Sequence, residues 1–538
     1  MNEERLIDYL HKDLQTLKGD RGLWNQDLQD VVRYIRPGTS DFLRNLTRGE
    51  SRHYEIYDGT ALWALEQFAS GLHTYNTSPT DRWFSLSTSD TNLMEDESVR
   101  EWLESVSDTI FRELSKPNVG FNQSMHECYL DLGALGTSII YEEFDIKRDQ
   151  LVFRTIPLAH CYIRENHLGM VDTLYREMEM TVRQILQKFP KIRNNEKLKT
   201  MRQHDKLTIS HSVFPSQDET GQKLSESKDF VSFWFCKKLD DGITKDGGIL
   251  SKGGFDEFPY HVPRWTKLAG EVYGRSPGRT ALHDIRVINA VQRQVLMKGD
   301  QQINPSLEIE DDSIIGDVAT GSGSIIWKEP GSAQIRPVET GGRLDWVDYT
   351  MSRLEKKINE AFHVDWLLRQ RKNERQTAFE VADERDEKLR MMSPMLGRLQ
   401  VELFGPLIQR SYNLMAEQGK FAEPDVELGR LEIKYTSPAA KAQFSVKSQN
   451  SRRYIEELSL LAQLDPNVID VIDTDALSLA MAQWSDISTK TTRTPEEIQE
   501  LRQAKAENEA RQMAVNNAPL EASAVKDLAQ ARSMEQNI

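Results

Sequence analysis

Cysteine is scarce: Cys128, Cys161 and Cys236 are the whole set. So small and odd a count excludes a disulfide scaffold, and the absence of CxxC spacing leaves no structural zinc site. All three read as buried or partly buried thiols, which suits a reducing cytoplasm. Apolar residues are also limited, at 38% against 28% charged, with a mean hydropathy of -0.58. No run of 18 apolar residues occurs, so no membrane span is expected. The opening MNEERLIDYLHKDL lacks an apolar h-region, so no signal peptide is expected either. Positive charge is in the minority, with 68 Lys and Arg against 84 Asp and Glu and a net charge of -16. A repressor or nuclease that clamps DNA would be basic, because phosphate neutralisation supplies its affinity. A channel that DNA slides through is not excluded.

Catalytic motifs are missing as well. There is no GxxxxGK[ST], HExxH, GxSxG or HxE…PCxxC. Gly321-Ser322-Gly323-Ser324 lacks the lysine and the following helix of a phosphate loop. His126-Glu127-Cys128 falls in a helical stretch, where adjacent side chains diverge. Asp311-Asp312 and Asp240-Asp241 lack an EF-hand glycine. The expectation is a chain that is not an enzyme and has no cofactor and no metal.

What is present is helix, then sheet, then long helices. Leu6, Leu10, Leu14 and Leu17 fit one helix, and Leu28 to Ile35 a second that Pro37-Gly38 stops. Gly59–His73 and Asp96–Ser115 read as two more. The period then changes to two. Thr137–Phe144 and Leu151–Ile156 form a hairpin about the turn Lys147–Gln150. Val171–Met180 is a strand, and Thr181 caps a short helix, Val182–Phe189. Phe230–Leu239 and Tyr260–Leu268 complete a small antiparallel sheet, while the polar stretch Asn194–Gly221 reads as loop.

A long helix is predicted over Arg279–Gln302, ended by Asn304-Pro305. Residues 304–343 are short apolar runs between glycines, a compact β-rich insert. A second long helix follows, with Leu344, Val347, Met351, Leu354, Ile358 and Ala361 spaced 3-4-3-4-3. That is a narrow seam, as helices use against a neighbouring helix or in an ordinary core. Next, Arg369, Arg371, Lys372 and Arg375 face only Asp365 and Glu374, a basic patch in an acidic chain. Helix resumes near Gln376 and runs, kinked at Pro394 and Pro406, to about Gln418. Arg453–Leu464, Val468–Ser485 and the capping box at Thr494-Pro495-Glu496-Glu497 make a helical end.

Several ordered blocks carry a family resemblance. They are Tyr34-Ile35-Arg36-Pro37, Asp58-Gly59-Thr60, Ala69-Ser70-Gly71-Leu72, Thr77-Ser78-Pro79 and Arg82-Trp83-Phe84. Tyr129-Leu130-Asp131-Leu132 with Gly136-Thr137 follows, then Gly270 through Pro277, Ala281 through Ile285, and Thr377-Ala378-Phe379-Glu380. Over about 350 residues their order and spacing resemble the head-to-tail connecting protein family, the portal proteins of short-tailed phages. None falls in the C-terminal hundred residues. Physically, Gly71 and Gly136 suit close backbone packing, and Arg82-Trp83-Phe84 could pair an aromatic anchor with a guanidinium.

The resemblance implies an α+β portal-type subunit. Its parts would be a mixed wing (1–270), a first stem helix (271–303), a β-rich clip (304–343) and a second stem helix (344–362). A tunnel loop (363–375), a long kinked helix returning to the wing (376–445) and a helical crown, with or without a barrel (446–538), would complete it. It implies a homo-oligomeric ring, usually of twelve subunits, in the virion, assembled in the host cytoplasm. Partners would be sequence-independent double-stranded DNA, the terminase motor, a tail adaptor and the capsid shell, with no membrane. Arg369, Arg371, Lys372 and Arg375 would face DNA in the tunnel. Glu308, Glu310, Asp311, Asp312 and Asp317 would dock the motor and later the adaptor. An internal virion or ejection protein is the alternative, against which the absence of basic amphipathic helices counts. A terminase subunit is disfavoured by the missing P-loop.

Overall fold

The computed structural model describes residues 6–43, 56–90, 93–94, 96–217, 227–240, 248–303, 307–308, 336–337, 345–367, 391–422, 431–437, 454–455, 458, 477–478, 498 and 501–509. The chain divides into two units, Met1–Asp90 with Leu103–Gln443, and Thr91–Trp102 with Phe444–Ile538.

The first unit opens with a helix α1 (Leu6–Tyr34). It is one helix, not the two expected. Gly19 and Gly22 do not break it, because the buried stripe Leu10, Leu14, Leu17, Arg21, Leu28 runs straight through them. Arg21 is buried yet satisfied: its guanidinium donates to the carbonyls of Leu158, Cys161 and Ala159 at 2.9, 2.6 and 3.0 Å. Next come α2 (Thr60–Asn76), β1 (Phe84–Thr88), α3 (Glu97–Leu114) and α4 (Phe121–Leu135). The start of α3 belongs to the second unit. The remaining described part of that unit includes a helical stretch, 501–509, exposed throughout.

Two antiparallel sheets follow, where one was expected. Strands β2 (Ile140–Asp145) and β3 (Gln150–Thr155) form the hairpin read from the sequence. After β4 (Cys161–Glu165) and β5 (Val171–Thr181) comes α5 (Val182–Lys188), started by Thr181 in a full capping box with Gln184. Then come α6 (Glu196–Thr200), β6 (Lys206–Pro215), β7 (Phe230–Phe235), β8 (Ile249–Phe255) and the two-residue β9 (Tyr260–His261). The orders are β3-β2-β9 and β4-β5-β6-β7-β8. The stretch read as loop therefore holds β6, the middle strand of the larger sheet. Its alternation was hidden because polar Ser210, His211 and Ser212 are themselves buried.

One face of the larger sheet packs Tyr175, Phe214, Val231, Phe233 and Phe235 against Ile7, Leu10, Leu14 and Leu17 of α1. The other packs Leu207 and Ile209 against Val182, Ile185 and Phe189 of α5. Each fully buried apolar side chain contributes roughly 1.5–3 kcal/mol.

Two long helices then lie side by side, α7 (Pro277–Ile303) and α8 (Asp345–Ala361). Lys357 of α8 lies 4.0 Å from Asp284 of α7, so the end of one meets the start of the other and the pair is antiparallel. Between them, β10 (Leu307–Glu308) pairs antiparallel with β11 (Arg336–Pro337); the rest of the expected β-rich insert lies outside the described residues. After α9 (Val364–Leu367) the chain is described again from 391. There α10 (Ser393–Leu399), a π-turn at Gln400–Phe404 and α11 (Gly405–Glu417) follow without a break. Leu431–Tyr435 is a strand, β12, within a span expected to be helix; it pairs with β1 across some 345 residues of chain. The expected C-terminal helices fall mostly outside the described residues.

Candidate functional site at the base of the long helices

Several of the ordered sequence blocks meet where α7 begins. Gly136 sits at φ +80°, and a Cβ there would lie 2.6 Å from the Gly274 carbonyl oxygen. A Cβ on Gly274 would lie 2.2 Å from the Gly136 oxygen. The two backbones thus touch at a distance no side chain allows. Gly274 N–H donates to Thr137 Oγ1 at 2.8 Å, and Trp265 N–H to the Gly136 carbonyl at 2.9 Å. Ser276 Oγ donates to the Ala134 carbonyl at 2.6 Å and accepts from Arg279 N–H at 2.9 Å, so it caps α7.

The earlier blocks close around this contact. Arg36 pairs with the buried carboxylate of Asp131, and Ser138 Oγ donates to Asp131 at 3.4 Å. Burial pushes the Asp131 carboxyl up to about 6, against the pull of Arg36. Asn289 Oδ1 on α7 accepts from the N–H groups of Tyr57 and Asp58 at 2.9 and 3.2 Å. Thr77 Oγ1 and the Tyr129 hydroxyl are 3.0 Å apart in the core. Phe68 of α2 packs edge-on to Trp265 at 5.0 Å and to Phe362, just beyond α8, at 6.4 Å. Arg279 and Arg286 tie α7 to Asp27 and Asp30 of α1. Trp83 is buried, stacked on Phe121, so this block keeps the fold and offers no exposed anchor.

A second polar cluster fixes the kinked helix. The buried Arg264 donates to Glu402 in the π-turn at 2.7–3.2 Å, pairs with Glu165, and donates to the Gly169 carbonyl at 2.8 Å. Ser411 Oγ donates to Glu142 at 2.7 Å, and Glu142 lies 2.7 Å from His261 Nε2, all three buried. Glu142 stands between serine and histidine, so no nucleophile–base pair is formed.

No reactive centre emerges elsewhere in the described residues. Cys128 and Cys161 are buried and pushed up to about 12, and burial raises Cys236. His126 points instead toward Glu66, 3.5 Å away. No group of three metal-ligating side chains occurs among the described residues, and none of their helices is long and apolar enough to cross a membrane. Of the residues singled out by charge, Glu308 stands in β10 opposite Arg336. Glu310, Asp311, Asp312, Asp317, Arg369, Arg371, Lys372 and Arg375 lie outside the described residues, as do Gly321–Ser324 and Thr377–Glu380.

The junction thus anchors the start of α7 and the end of α8, through several of the blocks that suggested a family. Residues 8–491 match the family model described as bacteriophage head to tail connecting protein. The chain belongs to that connector family. The portal protein of Salmonella phage epsilon15 is 30% identical over 524 residues, covering 94% of this chain and 91% of that one. The probable portal protein of Bordetella phage BPP-1 is 28% identical over 485 residues, covering 87% and 84%. Among solved structures, a chain of the virion of a native gene transfer agent particle is 10% identical and covers 79% of this chain and 94% of that one, with a TM-score of 0.37. Connector membership makes the chain a structural virion component, not an enzyme, as the sequence suggested.

Proposed function

We propose that this connector chain is the portal subunit of a phage, assembling into a ring of about twelve copies at one capsid vertex. Double-stranded DNA would pass through the ring during packaging and ejection, and be retained by it between the two.

The observation that carries this reading is at the far end of the long helices. Leu296, Met297 and Ile303 of α7 and Trp346 and Tyr349 of α8 are exposed by 53, 52, 79, 69 and 70%. Large exposed apolar side chains on two paired helices mark an association surface. Neighbouring copies in a ring would cover them. Within one chain the seam of α8 is buried only toward its end, at Leu354 and Ile358. The family match and the two portal relatives support the same reading.

In that assembly α7 and α8 are the stem, residues 304–343 the clip, and 1–270 the wing. Glu308, Glu310, Asp311, Asp312 and Asp317 present acidic charge to basic surfaces of the terminase motor and then the tail adaptor. Arg369, Arg371, Lys372 and Arg375 touch passing phosphates transiently. An otherwise acidic wall keeps the duplex centred, its field screened beyond ~8 Å in cell salt. Negative-stain microscopy of the purified chain tests this. Rings with a central hole are expected; an ejection protein would show none.

A further inference from the structure

The larger sheet carries a basic knob. Residues 182–206 contain eight Lys and Arg against Glu196 and Asp205, in a chain whose net charge is -16. The segment runs through α5, a short helical turn at Pro190–Asn194 and α6, and its two ends are tied together. Val182 N–H donates to the Asp205 carbonyl at 3.0 Å, and Arg183 N–H to the Gln203 carbonyl at 3.2 Å. Charges far apart in sequence are thereby gathered on one small closed loop. Val182, Ile185, Phe189 and Leu198 are buried against the sheet, and the other large apolar side chains of the segment pack beside them, partly buried. What faces outward is polar. Arg183, Lys191, Arg193, Lys197, Lys199 and Arg202 are all exposed.

Little offsets this charge locally. Asp205 accepts from the Arg202 backbone N–H at 2.9 Å, closing a turn, and Glu196 opens α6. Lys206 pairs with Glu179 at 3.4 Å, and Lys188 lies over the Trp234 ring and feels the Glu143 carboxylate, so neither adds to the free charge. Lys197 donates to the carbonyl of Asp240, whose carboxylate lies 3.6 Å from Lys237. Among the described residues, Arg183, Lys191, Arg193, Lys199 and Arg202 have no carboxylate within ion-pair distance. Between these cations the outward side chains are Gln184, Gln187, Thr200 and Gln203, with no large apolar side chain exposed among them. A protein partner's interface carries an apolar centre, whereas a DNA interface is polar and positively charged. Phe189, which could stack an unpaired base, is buried, so the knob offers charge and hydrogen bonds but no stacking platform.

We propose that the knob at residues 182–206 binds the phosphate backbone of double-stranded DNA from outside any channel, without reading its sequence. Arg183, Lys191, Arg193, Lys199 and Arg202 make the ionic contacts, and the glutamines beside them donate to phosphate oxygens. Long exposed side chains of this kind give a salt-dependent grip that holds a duplex against the surface without fixing its register. The site is separate in sequence from Arg369, Arg371, Lys372 and Arg375. The choice of duplex DNA as the polyanion rests on the portal reading; the unpaired cations do not.

The test uses the full chain and relaxed closed-circular duplex DNA, which has no end to thread into a channel. Binding is followed by filter retention across a salt series. The wild-type chain should bind at low salt and release as salt rises. The variant Lys191→Gln/Arg193→Gln/Lys199→Gln/Arg202→Gln changes only exposed side chains. It should lose at least about tenfold in affinity, and its slope of log affinity against log salt should flatten by about 3–4 per bound subunit. The charge-keeping variant Lys191→Arg/Arg193→Lys/Lys199→Arg/Arg202→Lys should bind as the wild type does, which separates lost charge from a disturbed fold. No binding by the wild-type chain at low salt overturns the proposal, as does an unchanged slope in the glutamine variant or lost binding in the charge-keeping one. Tighter binding of polyglutamate than of DNA overturns it too, in favour of an acidic protein partner. Particle size is measured on the same samples. Rings whose DNA affinity ignores the glutamine variant defeat the knob and leave the portal reading standing; monomers that bind DNA through the knob do the reverse.

Discussion

Gly136 and Gly274 meet backbone to backbone, so closely that a Cβ on Gly274 would stand 2.2 Å from the Gly136 carbonyl oxygen. Each belongs to a separate sequence block, and their contact joins the end of α4 to the entry of α7. The start of α7 is held against the end of α4 by it.

Gly274→Ala should therefore destabilise the chain by about 2–4 kcal/mol, because backbone rather than a flexible side chain must move. Gly253→Ala is the control: a Cβ there meets nothing within 4 Å. It should shift stability by no more than about 0.5 kcal/mol. Denaturant unfolding of both variants checks the contrast, and equal effects would remove the junction's special status.

Asp131 should leave a signature in the pH dependence of stability. Its carboxyl is lifted from 3.8 to about 6 in the folded chain, so the folded state holds this proton more tightly than the unfolded one. The stability it contributes is fully present below the unfolded value and is lost as pH rises through about 6. The loss is on the order of 3 kcal/mol. Asp131→Asn cannot titrate, so the wild-type chain should lose stability relative to this variant between about pH 4 and about pH 7. Parallel profiles from chemical denaturation would show that Asp131 does not carry the shift.

The basic patch separates function from fold. If Arg369, Arg371, Lys372 and Arg375 act on DNA and not on the fold, replacing them together with alanine should leave rings intact and stability within about 1 kcal/mol. Packaging or retention of DNA should fall. Normal packaging by the variant would refute the tunnel role, and failure to assemble would mean these residues pair with acidic neighbours such as Glu380 or Asp383.

Much of the fold was legible because local signals coincided. Thr181 and Gln184 mark a helix start by chemistry alone, and the polar turn at Lys147–Gln150 separates two alternating runs. What escaped was decided at long range. β6 hides its period because His211 is buried by bonding Tyr260 and Ser232, partners far along the chain. α1 runs through two glycines because Arg21 finds carbonyls in the segment 158–161. β12 exists only because β1 waits for it. The junction was legible as scattered blocks, but not as a contact.

The central claim is that this chain closes into a ring. Native mass spectrometry or light scattering of the purified protein tests it most directly. A single assembly of about twelve times the 61.9 kDa chain mass, shifted to smaller species by charged substitutions at the exposed Trp346 and Tyr349, is the expected result. A 61.9 kDa monomer at micromolar concentration across several salt conditions would contradict the account.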